Sequence, residues 1–240
     1  MYCSAFSSLA PKVSPDVRWG LLGDRAVILN LRTNAYLGLD PLATLMWKAV
    51  AEQADPGAAV QSIASTYHAP LEQVANDYEE LLGSLTAQGL LIDGLAAPRN
   101  TRQASEASMP RTAMFPSLRA WRTMLAIRLR LRAGGLTSAY AYAESCPAGI
   151  PARDEPELPS ALAAFRSAEN FWLDRRASDD CLSRSLSLFV FLRRAGFSVR
   201  HKIGVADTPF RAHAWVESQG QPLFEAPNRM DRFTVLSSLP

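Results

Sequence analysis

Residues 178–197 read SDDCLSRSLSLFVFLRRAGF, and the role of their single cysteine decides how the second half of the chain folds. Ser178 offers an N-cap oxygen, which places Cys181 in the first turn of an amphipathic helix. Cys181, Ser185, Leu188 and Leu192 then share one face, beside Leu182, Leu186 and Phe189. A cysteine there is either a small buried hydrophobe or a nucleophile at the helix end where backbone N–H groups are free. Those N–H groups favour the thiolate over the thiol, whereas Asp179 and Asp180 oppose it by like-charge repulsion. The helix end alone is therefore not a sufficient activator, and a histidine is required beside the sulfur.

The chain holds three histidines, His68, His201 and His213. His68 precedes Pro70 after a helical stretch and reads as exposed. His201 opens a strand between Arg200 and Lys202, a setting that reads as solvated surface. His213 lies in RAHAWVES, on the same strand face as Trp215 and Glu217 by period-two alternation. A lone strand histidine is more often structural than catalytic, so His213 needs a partner that accepts its far N–H. Glu217 lies four residues along the strand, roughly 13 Å away, and is a poor orienter. Glu225 lies on the strand expected after the Gln219-Gly220 turn. A two-residue turn would set Glu225 opposite Ala214 on the wrong face. A three-residue connection, or a bulge beside Gly220, would set it opposite Trp215 and on the face of His213.

Composition narrows the class. Hydrophobic residues make up 48% and charged residues 20% of 240, as in an ordinary globular protein with one large or two modest cores. A net charge of +2 gives no argument for nucleic acid. No apolar run approaches a membrane span, and the N-terminus has no secretion-signal pattern. Cys3, Cys146 and Cys181 are distant and show no C-x-x-C spacing, which speaks against a disulfide framework or a metal site and for a cytoplasmic location.

Residues 17–40 read as short strands with turns at Gly23-Asp24 and Thr33-Asn34. A helix starting at Pro41 puts Leu42, Leu45, Met46 and Ala49 on one face, and Pro56-Gly57 breaks it. A short helix over AAVQSIASTY follows. A longer one after Pro70 carries Leu71, Val74, Tyr78, Leu81, Leu82 and Leu85 before Gly89 ends it. Three strands and three helices make a small α+β unit over 14–93. Residues 94–112 read as a linker. A second domain spans 113–240, beginning with a basic helix. From Arg99 to Arg132 there are eight arginines against the single acid Glu106, read first as a solvated face and second as a docking surface for an acidic partner. A helix over ELPSALAAFRSAENFWL precedes Cys181. Three strands follow it: Val199–Val205, RAHAWVES and QPLFE.

A cysteine opening a helix, a histidine on a strand and a carboxylate on the next strand follow the order of transglutaminase-like, papain-related folds. DCLSRSLSLFVFLRRAGF, IGVADTPFRAHAWVE and GQPLFEAPN resemble the leader peptidases of lasso peptide biosynthesis, the B proteins. The resemblance is strongest over 180–228. The first domain, through LNLRTNAYLGLDPLATLMWKAV and VANDYEELLGSLTAQGLL, looks like a PqqD-like precursor recognition element, a small winged helix. The fold implied is α+β throughout: the winged helix, then a papain/transglutaminase-like domain with helices packed on an antiparallel sheet.

The resemblance implies a cysteine endopeptidase with Cys181, His213 and Glu225 as its catalytic residues. It also implies that a precursor peptide's leader adds as a strand along Tyr36, Leu37, Gly38 and Leu39, against Val74, Asp77, Tyr78 and Leu81 of the third helix. No cofactor or metal is implied. ATP enters through a partner, an asparagine-synthetase-like lasso cyclase that closes the ring after leader removal. The family pattern has aspartate where this chain has Glu225, whose extra methylene moves the carboxylate by about 1.5 Å. Two other readings stay open at this point: a non-catalytic leader-binding chaperone that delivers the precursor to the cyclase, and acyl transfer to an amine.

Overall fold

The computed structural model describes residues 11–92, 116–147, 157–170 and 181–240. The expected linker and the N-cap Ser178 lie outside them. The chain separates into two compact units.

In the first unit, β1 (Lys12–Val13) pairs antiparallel with β5 (Leu91–Ile92). A three-stranded meander runs β2 (Val17–Leu22), β3 (Arg25–Asn30) and β4 (Ala35–Gly38). The β2–β3 turn is Gly23-Asp24, with Leu22 paired to Arg25 and Gly23 at φ 65°. A positive φ at the first central residue alone is the type II′ pattern, whose twist suits a hairpin. Asn34, at φ 55°, turns the chain from β3 into β4.

Helix α1 (Pro41–Ala51) is capped by Asp40, whose side chain accepts from the Ala43 N–H at 2.8 Å. Its buried face is Thr44, Met46, Trp47, Ala49 and Val50, whereas Leu45 is exposed. The stripe expected from Leu42 and Leu45 is thus rotated. Two features set the rotation: Thr44 Oγ1 accepts from the Ala26 N–H at 2.8 Å, and Trp47 packs edge-on against Trp19. Pro56 and Gly57 do not break α1, which ends at Ala51 with the left-handed Gln53 (φ 55°) beyond it; they open α2 (Pro56–Tyr67), which Asp55 caps through the Ala58 N–H. Proline in the first turn costs no hydrogen bond there. Helix α3 (Leu71–Ala87) buries Val74, Tyr78 and Leu85, and leaves Leu71 exposed. One apolar core joins these faces to Ile28, Met46, Val60 and Ile63.

The second unit opens with α4 (Pro116–Glu144), broken at Gly135 by a left-handed backbone of φ 65° and ψ −166°. Helix α5 (Leu158–Asn170) follows, then α6 (Cys181–Arg194). The sheet is antiparallel in the order β8-β7-β6-β9. Its strands are β6 (Arg200–Ala206), β7 (Arg211–Ser218), β8 (Gln221–Pro222) and β9 (Thr234–Leu239). A single turn, α7 (Pro227–Met230), lies between β8 and β9.

Two expectations are corrected here. The strand read over QPLFE pairs only at Gln221 and Pro222, and the sheet gains β9, whose partner is β6. Helix α6 is also not amphipathic: every residue from Ser185 to Leu192, and Ser183 before them, is buried. It packs on α4 and on the sheet. The small serines permit that close approach, with Ser187 Oγ returning its proton to the Ser183 carbonyl at 2.7 Å.

Candidate active site

The sequence of α6 fixes where its first residue lies. Helix α6 is buried continuously from Ser185 to Leu192 and reaches solvent toward its two ends; Cys181 is the N-terminal one, half-buried. The first N–H groups of a helix have no partner within it, so they face whatever fills the space beside the sulfur.

His213 lies on β7, paired opposite Gly204 of β6. Its imidazole lies nearly parallel to the Trp215 indole, 12° apart with centroids 6.1 Å apart, and its other neighbour is the Phe233 ring at 5.6 Å. Trp215 is anchored in turn. Its Nε1–H donates to Glu217 Oε1 at 2.8 Å, and the other oxygen of Glu217 meets Lys202 Nζ at 2.7 Å. Glu217 therefore holds Trp215 rather than His213.

His213 Nε2 lies 3.4 Å from Glu225 Oε1, and the second Glu225 oxygen lies 3.7 Å from the exposed Arg229. The route by which Glu225 gets there differs from expectation. The β7–β8 turn has two residues, with Glu217 paired to Pro222 and both Gln219 (φ 50°) and Gly220 (φ 78°) left-handed. That is a type I′ turn, with no bulge at Gly220. The ladder goes one bond further, from the Leu223 N–H to the Val216 carbonyl at 2.8 Å. Phe224 then takes a left-handed backbone of φ 65°, and the strand ends. The change of direction sits at Phe224, and it brings Glu225 to His213 in place of the register against Ala214.

Because β8 is so short, the Ala212–Val216 stretch of β7 borders a cavity of about 320 Å³ instead of another strand. Its walls include Cys181, Arg184, Ser185 and Leu188 of α6 on one side and His213, Leu223 and Glu225 on the other. The structure thus brings all three expected site residues to one cavity. With Nε2 turned to a carboxylate, Nδ1 is the imidazole nitrogen left for a second partner.

Among the histidines, the reading of His201 is corrected. It is fully buried, not solvated, because β6 is an inner strand and its His201, Ile203 and Val205 face the helices. Ser185 Oγ lies 2.9 Å from His201 Nε2, and the Ser185 proton goes to the Leu182 carbonyl. The bond is therefore donated by Nε2–H, and Nδ1 is a buried acceptor without a partner among the described residues. Burial lowers the His201 pKa to about 3, so the ring is neutral at ordinary pH. His68 is exposed and left-handed at the end of α2. Among the described residues no group of three or more His, Cys, Asp or Glu is placed to hold a metal ion, and no helix is long and apolar enough to cross a membrane.

In the first unit, β4 is an edge strand, paired only with β3 in its sheet. Tyr36 and Leu37 are half-buried and Gly38 is exposed. Of the α3 residues, Asp77 is exposed and Leu81 half-buried. Leu39, Val74 and Tyr78 are core residues, Tyr78 at 1% exposure with its phenol pKa pushed up by burial. Those three shape the surface from below, while Tyr36, Leu37, Gly38, Asp77 and Leu81 reach it.

Residues 121–238 match the transglutaminase-like superfamily (Transglut_core3), and residues 25–91 match the coenzyme PQQ synthesis protein D family (PqqD). The chain is similar to the microcin J25-processing protein McjB of Escherichia coli, 37% identical over 60 residues. That stretch is 25% of this chain and 29% of McjB, so less than a third of the relative is spanned. It is also similar to a solved structure, TbiB1 in complex with the TbiA(beta) leader peptide, with 30% identity over 36% of this chain and 99% of that one, at a TM-score of 0.33. The protein is a PqqD-like domain followed by a transglutaminase-like domain.

Proposed function

We propose that the chain holds the leader of a ribosomally made lasso precursor on its first domain and cuts the leader from the core with its second. The observation that carries this reading is the pairing of His213 Nε2 with Glu225 Oε1 at 3.4 Å on a cavity that Cys181 also lines. A nucleophile, a base and a group orienting that base are the parts a cysteine peptidase needs.

In this mechanism His213 takes the thiol proton and Cys181 Sγ attacks the carbonyl at the leader–core junction. The Cys181 N–H, in the first turn of α6, donates to the developing oxyanion. His213 then gives its proton to the leaving amine, which frees the core. Water, deprotonated by His213, hydrolyses the thioester and releases the leader. Glu225 holds the imidazole and balances its charge while it is protonated. The open edge of β7 offers main-chain groups on which the substrate backbone can lie. On the first domain, the exposed edge of β4 offers the same to the leader, with Asp77 and Leu81 beside it. No cofactor takes part in these steps; ATP belongs to the partner cyclase that closes the ring.

The test is mass spectrometry of precursor incubated with the protein and the cyclase, comparing wild type with Cys181→Ala. Loss of the freed leader in the variant supports the peptidase. Undiminished cleavage sinks it, and full lasso formation with Cys181→Ala favours a leader-binding chaperone. A product carrying an added amine in place of a free carboxylate at the leader end marks acyl transfer instead.

A further inference from the structure

We infer that Phe224 is a positioning residue for the His213–Glu225 pair, held in place by α5 and the helix that carries Cys181. This rests on the peptidase reading above and adds the device that aims its acid.

The starting point is a backbone outlier. A bulky non-glycine residue at positive φ is a genuine exception and persists only where its surroundings over-determine it. Four other non-glycine residues among those described share this region: Asn34, Gln53, His68 and Gln219. All four are polar and sit at turns or helix ends, where the left-handed state has an ordinary local reason. Phe224, at φ 65°, is an aromatic residue at the point where a strand stops pairing.

Its ring explains how the conformation is held. Phe165 of α5 stacks with it, 27° apart with centroids 6.4 Å apart. The Arg166 guanidinium lies 4.6 Å from the ring centroid, and that of Arg184 lies 4.9 Å from it. Arg184 is itself fixed, with Nε 2.6 Å from Glu169 Oε1 and Nη2 3.2 Å from Oε2, a two-pronged pair in which the guanidinium cannot swing. Arg184 belongs to α6, three residues after Cys181, and lines the same cavity. The clamp therefore ties the segment bearing Glu225 to the helix bearing Cys181. Continued in strand geometry, the chain would carry Glu225 toward Ala214. The left-handed turn at Phe224 delivers it to His213 instead.

The test reads the thiol and needs no precursor. Full-length protein is alkylated with iodoacetamide across a pH series, and the Cys181 peptide is followed by mass spectrometry. A cysteine paired with an oriented imidazole keeps reacting well below the ordinary thiol pKa of about 8.5. Phe224→Ala is expected to move the profile upward by about one unit, a roughly tenfold loss of rate at pH 6. Glu225→Gln moves it in the same direction, Glu169→Gln moves it less, and Phe224→Tyr restores the wild-type profile. If Phe224→Ala does not fold by circular dichroism, the Glu169→Gln profile decides. Wild-type profiles for Phe224→Ala and Glu169→Gln, beside a shifted Glu225→Gln, overturn the positioning role and leave the peptidase reading standing. A wild-type profile for His213→Ala overturns the peptidase reading, and the positioning role with it.

Discussion

Ser185 and His201 join Oγ to Nε2 at 2.9 Å, one turn along α6 from Cys181. The bond ties the helix of Cys181 to β6, an inner strand of the sheet, and the Tyr140 and Phe189 rings enclose the imidazole edge-on. His201 is thus a structural residue placed directly behind the cavity wall.

Its burial makes the fold acid-sensitive. The folded protein holds His201 neutral down to about pH 3, whereas an unfolded chain protonates it near 6.5. Below the unfolded value the unfolded state binds the extra proton, so stability falls as pH falls between those limits, by about 1.4 kcal/mol per unit at most. Above pH 6.5 this group contributes no slope. Urea unfolding of wild type and His201→Gln across pH 4 to 7 checks this, the expectation being a shallower decline in the variant.

Gly204 has no room for a methyl group. A Cβ there would sit 2.9 Å from Trp215 Cη2 and 3.0 Å from the Thr234 carbonyl oxygen. Since the backbone oxygen cannot yield cheaply, Gly204→Ala should displace the indole on which His213 stacks. The expected result is a loss of about 1–3 kcal/mol in stability, with peptidase activity falling further than stability alone explains. Denaturant midpoints beside turnover measurements separate the two effects.

Glu225 and Arg229 should behave very differently although they form an ion pair. Glu225→Gln removes the negative charge beside His213 Nε2 and should lower kcat by roughly 10²-fold or more. Arg229 is 63% exposed on its side chain and 3.7 Å away, so Arg229→Ala should change turnover by less than about twofold. Glu225→Asp tests whether the longer arm matters here. If Phe224 has set the backbone for glutamate, the shorter aspartate lowers kcat as well.

The first domain offers a contrast between surface and core. Asp77→Lys should weaken binding of a labelled synthetic leader by about tenfold, or about 1.4 kcal/mol, with the unfolding midpoint unchanged. Tyr78→Ala, one residue later on α3, should cost about 3–5 kcal/mol of stability because it empties the core. Fluorescence anisotropy and thermal unfolding of both variants distinguish the roles.

Much of this architecture was legible in the residues. Gly23-Asp24 and Gln219-Gly220 specify their hairpin turns, Pro41 opens its helix, and the order Cys181, His213, Glu225 points to the site. What stayed hidden depends on neighbours distant in sequence. His201, flanked by Arg200 and Lys202, gives no sign that its strand lies inside the sheet. The β9 segment TVLSSL alternates too weakly to stand out until β6 is there to pair with it. No local signal announces a left-handed phenylalanine, because the torsion at Phe224 is set by α5 and α6. Neither the three-residue connection nor the bulge expected to bring Glu225 to the face of His213 is present; across a two-residue turn, that one torsion does so instead.

The near-parallel stack of Trp215 on His213 has an optical consequence. An excited indole readily passes an electron to an adjacent imidazolium and far less to neutral imidazole, so Trp215 emission dims when His213 is charged. The chain has five tryptophans, and a Trp215→Phe difference spectrum isolates this one. The protein thus carries a built-in lamp beside His213, one that needs no label.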